Sequence, residues 1–429
     1  MSPNLRSWQT SVSLMSPNTS QVSALDSLRF GFIASIVASV SLPLYISLPM
    51  VYAGEFGLPV AQVGIILMLV RLLDGFTDPL FGRLIDRTKE RRFQKWIIPA
   101  SILLTITYGL VLNPPTSVLT KTSLLIYLAV FTLFVSLANG VISVAVHAWP
   151  PCWTSELPEQ KKLVNRREQF TVIGVITATL LVTQAQNTLF ISYLFCLTVI
   201  IYFAANNLPG QDGTSTARNR LQLSALAPLR WTLTYLFLNA LANAVAATLF
   251  LFFVTDYLLF SKGAGGQLLI VYFIASLVGI SLWSKIINRF QPKMTLSISM
   301  ALSIIVFLTT ILLDSSNAPY FWVICFLNGL IVGAELICPS LIISLKLSKK
   351  GDLKENPSTV FGVWSLLTKL SLAVAAGLSL PAIGLYGYNP GVSKGSVVLL
   401  AAYVGIPCAL KLASLALVIL EKPYGKNSL

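Results

Sequence analysis

Along this chain, stretches of about twenty apolar residues alternate with short polar loops, from residue 29 to residue 420. A helix of roughly 20 residues is what it takes to cross a bilayer's hydrocarbon core. No water reaches that core, so every backbone N–H and C=O must be bonded internally, and only helices or closed β-barrels qualify. The two-residue alternation of a barrel strand is absent. The sequence therefore predicts an all-α membrane protein with twelve transmembrane helices. We place them at about 29–53, 60–85, 96–113, 122–149, 169–186, 187–206, 231–258, 266–287, 294–313, 320–346, 359–385 and 397–420.

Composition excludes the alternatives. Charged residues are 11% of the chain and hydrophobic residues 55%, against roughly 25% charged in soluble domains. A soluble enzyme, a disordered protein and a nucleic-acid module are all ruled out. Cys152, Cys196, Cys325, Cys338 and Cys408 are odd in number and show no CxxC spacing. They read as small packed apolar residues rather than disulfides or metal ligands. His147 is the only histidine, and no HExxH or GxSxG occurs. No enzyme activity and no cofactor are expected.

The net charge of +14 is topological. Basic residues gather in alternate loops: Arg87, Lys89, Arg91, Arg92 and Lys95; Lys161, Lys162, Arg166 and Arg167; Arg218, Arg220 and Arg230; Lys285, Arg289 and Lys293; Lys346, Lys349, Lys350 and Lys354. The intervening loops hold only Lys121, Lys262 and Lys394. By the positive-inside rule both termini are expected in the cytoplasm, with the bilayer and no nucleic acid as surroundings.

The expected organisation is a polar cytoplasmic tail at 1–28, a six-helix bundle at 29–206, a cytoplasmic linker at 207–230, a second six-helix bundle at 231–420 and a short tail at 421–429. The halves carry a faint repeat. Asn139-Gly140 precedes Pro150 at the spacing by which Asn328-Gly329 precedes Pro339. Two bundles of six imply parallel repeats about an axis along the membrane normal, with the solute site between them near the midplane.

Ionisable residues inside spans are costly and mark function by default. Arg71, Asp74 and Asp78 are spaced i, i+3, i+7, on one helix face. Two carboxylates one turn apart repel. They either share a proton, share a cation such as Na⁺, for which carboxylate oxygens are suitable ligands, or belong to a salt-bridge cluster that fixes helix packing. Arg71 neutralises Asp74 or meets the solute. Counting residues from the span ends puts Asp74, Glu335 and Lys369 near the bilayer centre, at about 1.5 Å per residue. Glu335 is a solute contact or a protonated packing carboxyl. Lys369 is an internal partner for a carboxylate, compatible with coupling.

His147 reads as a packing residue or a proton relay, and Lys411 as a side chain that snorkels to the interface. Gly329-x-x-x-Gly333 predicts close helix packing. Trp149-Pro150-Pro151-Cys152-Trp153 is expected to break the fourth span. Its tryptophans read as an interfacial belt or a platform for a sugar ring.

The stretch Asp74-Gly-Phe-Thr-Asp78-Pro79-Leu-Phe-Gly82-Arg-Leu-Ile-Asp86-Arg87-Thr88 resembles the signature of the glycoside–pentoside–hexuronide:cation symporters, the melibiose-permease branch of the major facilitator superfamily. Phe30 to Leu58, Trp153 with the basic loop after it, Asn239–Phe253 and Phe361 to Lys369 are similar too. The resemblance implies alternating access and uptake of a small sugar-like or glycoside-like solute with Na⁺ or H⁺. It implies that Asp74 and Asp78 serve the cation, with Lys369 interacting with that site. Arg71, Glu335, Trp149 and Trp153 are the solute candidates from their positions and chemistry alone. The resemblance also implies a multi-pass protein of the bacterial inner membrane, functional as a monomer. Departures bear on the solute: Ala38 stands where the first-span sugar-contacting acid is expected, a non-acidic residue near Trp149 replaces the fourth-span acid, and the loop Asp86–Lys95 lacks its usual glycine. Melibiose is therefore a poor candidate. A uronide, a lysolipid-like solute and an uncoupled facilitator on the same fold are the alternatives.

Overall fold

The computed structural model describes residues 21–52, 56–115, 120–183, 187–209, 223–261, 263–348, 356–387 and 397–421. Most of the expected tails and linker lies outside these residues, as do Arg218, Arg220, Lys262, Lys349, Lys350, Lys354 and Lys394.

The described residues are helical almost throughout. α1 is Ala24–Met50, α2 Val60–Arg87, α3 Arg92–Leu112, α4 Lys121–Trp153, α5 Leu157–Thr183 and α6 Asn187–Asn206. α7 is Arg230–Phe252, α8 Ala264–Ile287, α9 Pro292–Leu308, α10 Phe321–Ser348 and α11 Pro357–Leu385. α12, Val397–Leu420, contains one π-helical turn, Ala401–Gly405. Starts follow capping chemistry: Thr120 Oγ1 accepts from the Ser123 N–H before α4, and Pro292 and Pro357 open α9 and α11, where their missing N–H is harmless.

Among the described residues nine helices, α3, α4 and α6 to α12, are long and apolar enough to cross a membrane. Charge is concentrated on two of the remaining helices: α2 carries Arg71, Asp74, Asp78, Arg83, Asp86 and Arg87, and α5 carries a dense charged start from Glu159 to Glu168. On α2 the pattern is inverted relative to a water-soluble helix. Leu69, Leu73, Phe76, Leu80 and Leu84 are exposed, while Asp74 and Asp78 are buried. Lipid on the outside makes that arrangement favourable.

One expectation fails here. The double proline does not break α4, which runs on to Trp153, and α5 begins at Leu157, well before the expected start at 169. The basic loop is thus mostly helix. Proline's fixed φ suits a helix, and the Thr154 N–H still reaches the Pro150 carbonyl at 3.2 Å.

The Val22 N–H donates to Glu159 Oε2 at 2.8 Å. At the other chain end Glu421 pairs with Lys293 at 3.0 Å and with Lys346. Burial alone would raise the Glu421 pKa, but hydrogen bonds from the two ammoniums, and their charge, hold it below the ordinary carboxylate range. Both described chain ends therefore sit at the end that carries the basic loops, the basic end below.

The apolar core divides unevenly. One cluster fills the first six helices and continues into the basic halves of the last six, through Trp283, Ile287, Ile337, Leu341, Leu347 and Phe361. A second cluster, with Leu249, Phe253, Leu268, Phe321 and Tyr403, fills the opposite end of the last six. The two halves thus share a core at the basic end. Within the second half α8 and α10 touch backbone to backbone: a Cβ on Gly333 would lie 2.4 Å from Gly279 C, and one on Gly329 2.4 Å from Tyr272 O. The small-residue spacing in α10 does what it predicted.

Candidate cation and solute site

The inward stripe of α2 meets α11 and α4. Lys369, from α11, places its Nζ 2.7 Å from Asp74 Oδ2 and 2.7 Å from Asp78 Oδ2. Ser365, one turn before Lys369, donates its hydroxyl to Asp78 Oδ2 at 2.6 Å. Asp78 is 0% exposed and Asp74 is buried. α2 belongs to the first half and α11 to the second, so this cluster spans the seam between them.

The other carboxylate oxygens are the informative ones. Asp74 Oδ1 and Asp78 Oδ1 are buried without a hydrogen-bond partner. Both point at Gly140 of α4: a Cβ there would lie 2.5 Å from Asp78 Oδ1, 2.9 Å from Asp74 Oδ1 and 3.4 Å from Lys369 Nζ. Two anionic oxygens converge on a space that exists because residue 140 has no side chain. Buried acceptors left open require an explanation, and a small cation or a proton supplies one. Among the described residues no group of three or more acidic, histidine or cysteine ligands could hold a metal ion. Arg71, three residues before Asp74, is near enough to act on it electrostatically.

Gly140→Ala is expected to fill this space and remove the response to the coupling cation. An ion at a hundredfold its Kd stabilises its protein by about 2.7 kcal/mol. Thermal unfolding of wild type and variant, with and without Na⁺ and at two pH values, reads that increment. An undiminished cation-dependent shift in the variant would refute the assignment of the space.

The remaining residues singled out by sequence fall elsewhere. Glu335 does not face the Asp74–Asp78–Lys369 cluster. Lys411 Nζ bonds its Oε1 at 2.6 Å and its Oε2 at 2.7 Å, and the amides of Asn239 and Asn243 donate to Oε2 at 3.1 Å and 2.7 Å. With both oxygens occupied, Glu335 is neither a protonated carboxyl bonded to backbone nor an open solute contact. Lys411 does not snorkel: it is 5% exposed and also reaches Asn239 Oδ1 at 3.2 Å. The pairing outweighs the pull of the interface because Glu335 would otherwise stand uncompensated.

Trp149 and Trp153 are corrected too. Trp149 is 0% exposed, stacked on Phe93 at 5.1 Å and edge-on to Phe30 at 5.9 Å, and Trp153 lies 6.4 Å from Phe30. Rings enclosed on these sides form neither an interfacial belt nor a free platform; they lock α1, α3 and α4 together. The His147 Nδ1–H donates to the Ser143 carbonyl at 2.7 Å, as a packing histidine does. Sequence reasoning missed Gly140, Ser365, Asn239 and Asn243. Ser365 stands four residues before Lys369 and Asn239 four before Asn243, so helical spacing was the available signal.

A bundle of apolar helices in two halves, with a buried charged cluster on the seam, defines a multi-pass membrane transporter rather than an enzyme. The sequence matches the family described as MFS/sugar transport protein over residues 29–423, and the chain belongs to that family. Two curated Escherichia coli proteins are similar over shorter stretches. "Inner membrane symporter YicJ" is 26% identical over 138 residues, 32% of this chain and 30% of that protein. YagG, whose name proposes it as a glycoside/cation symporter, is 31% identical over 122 residues, 27% of this chain and 25% of that protein. The matched stretches thus span less than a third of either relative. Among solved structures, a bacterial homologue of the iron transporter ferroportin in its outward-facing state superposes with a TM-score of 0.70 at 14% identity, covering 92% of this chain and 98% of that one. At that identity the likeness is one of fold.

Proposed function

We propose that this protein is a secondary active transporter that couples entry of a small sugar-like or glycoside-like solute to Na⁺ or H⁺. The observation that carries the reading is the pair of open carboxylate oxygens, Asp74 Oδ1 and Asp78 Oδ1, held beside Lys369 on the seam between the halves. A group on the seam feels any relative motion of the halves, so its occupancy and that motion are linked. In this reading twelve helices cross the membrane and the basic end is cytoplasmic. The shared apolar core at that end then corresponds to a cytoplasmic side held closed. Cation binding between Asp74 and Asp78 favours the outward-open state and raises solute affinity, and solute raises cation affinity by the same factor. Arg71, on the inward stripe of α2, is the residue we assign to the solute. The family description and the names of YicJ and YagG support sugar or glycoside symport, and the name of YicJ supports an inner-membrane location.

The test is uptake into membrane vesicles under an imposed Na⁺ gradient, a pH gradient or neither. Labelled methyl glucoside, methyl glucuronide and lysophosphatidylcholine serve as probes. Accumulation above the external concentration, with one gradient and one probe, is the expected result. Equilibration without accumulation under either gradient would make the protein a facilitator.

A further inference from the structure

Two asparagines of α7 flank the Glu335–Lys411 pair, and they are used differently. Asn239 is closed at both ends: its Nδ2 donates to Glu335 Oε2 at 3.1 Å, its Oδ1 accepts from Lys411 Nζ at 3.2 Å, and it is 3% exposed. Asn243, one turn further along, donates its Nδ2 to Glu335 Oε2 at 2.7 Å and is half-buried. A carboxylate only accepts, so this contact fixes which end of the amide is which. The nitrogen faces Glu335. Oδ1 faces away from it, with no hydrogen-bond partner among the described residues.

The surroundings say where that oxygen points. α7 has two exposed faces. Thr234, Leu241, Thr248 and Phe252 are exposed or half-exposed along one; Asn243, Ala247 and Leu251 are so along another, roughly a third of a turn away. An amide turned to lipid would leave its oxygen unbonded in hydrocarbon. Glu335 and Lys411 anchor this one inward, on α10 and α12, so the Asn243 face lines interior space. α2 is built the same way. Besides its lipid face, Gly64 and Met68 are exposed on the face that carries Arg71. α11 packs against both α2 and α7, so Arg71 and Asn243 stand on either side of it, one from each half. Both inward faces are exposed toward the end opposite the basic loops.

We propose that Asn243 is a solute-binding residue whose Oδ1 accepts one hydroxyl of the solute, and that Glu335 and Lys411 position it. The inference rests on the transporter reading above and states the chemistry of its solute. Arg71 offers donors from the first half and Asn243 an acceptor from the second, a pattern that suits a polyhydroxylated molecule. It also gives the buried ion pair a task. Apolar residues of similar volume would pack there as well, but they would not hold the amide with its oxygen toward the solute.

The test measures binding of methyl glucoside, methyl glucuronide and their monodeoxy analogues to the purified protein by equilibrium dialysis. Wild type should lose roughly fivefold in affinity for one deoxy position, the net worth of one hydrogen bond between neutral groups. Asn243→Ala should bind the parent glycoside as weakly as wild type binds that analogue, and should no longer tell the two apart. Glu335→Leu with Lys411→Met, which frees the amide to turn, should lose the same discrimination. In a second measurement, Asn243→Cys should react with a membrane-impermeant maleimide from outside right-side-out vesicles, and the glycoside should slow that reaction. Asn239→Cys should stay unlabelled, with the wild-type chain alongside to account for its own cysteines. Unchanged discrimination in Asn243→Ala, or an Asn243→Cys thiol that is unreactive or unprotected by either glycoside, would overturn the proposal. Neither measurement needs an ion gradient. Lost accumulation with these results intact would sink the coupling reading and leave Asn243 in place; accumulation with unchanged discrimination would do the reverse.

Discussion

Asp78→Asn is expected to abolish gradient-driven accumulation, and Asp74→Asn to weaken it severely. Asp78 has the deeper position and the larger set of partners, with Lys369 and Ser365 both on its Oδ2. Asparagine keeps the shape and can still accept from Ser365. It removes one of the two anionic oxygens that converge on Gly140, and it leaves Lys369 balanced by Asp74 alone. The site then has no net negative charge with which to attract a cation. Coupling energies between linked sites run about 1–3 kcal/mol, or roughly 5–150-fold in affinity, and that factor is the size of the expected loss. Solute exchange across the membrane at equal concentrations should survive, because it requires movement of the halves without a cation gradient. Vesicles measured both ways, in net uptake and in exchange, distinguish an uncoupled carrier from an unfolded one. Full accumulation in both variants would end the assignment.

The second large effect concerns stability. Lys411→Met alone should destabilise the protein by about 3–5 kcal/mol, the range for stripping one partner from a buried ion pair. Glu335 would keep its two amide donors, from Asn239 and Asn243, but lose the ammonium bonded to both its oxygens. Glu335→Leu alone should cost about as much, for the mirror reason. The double variant Glu335→Leu with Lys411→Met should recover most of the loss, since apolar pairs of similar volume often replace buried ion pairs at little cost. The unbonded amides leave a residue of about 1–3 kcal/mol. Thermal unfolding of the purified protein measures all three, and a double variant no better than the worse single one would show that these groups do more than compensate each other.

Much of this protein was legible in its sequence, for a physical reason. A bilayer admits so few backbone solutions that runs of about twenty apolar residues are enough to define the fold class. Scarcity of charge helped as well. Asp74, Asp78 and Lys369 stood out because a charged group within a span must find a partner, and α2 and α11 supply them to one another. The i, i+4 spacing of Asp74 and Asp78 settled that they share a face, since this depends on the helix alone.

What the sequence could not say is which partner each group finds. Glu335 and Lys411 looked like two unrelated features, a mid-membrane acid and a lysine near an end. They are 76 residues apart, and only the packing of α7, α10 and α12 brings them together. Trp149 and Trp153 had the right chemistry for a sugar platform, but the rings of Phe30 and Phe93 already fill that role of neighbour. The two prolines at 150 and 151 looked like a break and are absorbed within α4, because whether a proline ends a helix depends on what else holds the turn. Gly140 carried no signal of its own, since an absent side chain matters only where other atoms converge. The sequence by itself determined that the chain is a helical membrane protein with its charges confined to a few inward positions, because lipid penalises every other placement. Only the tertiary structure decided that two carboxylate oxygens stay open on the seam and that Glu335 is closed off, because pairing inside a membrane is chosen by proximity between helices distant in the chain.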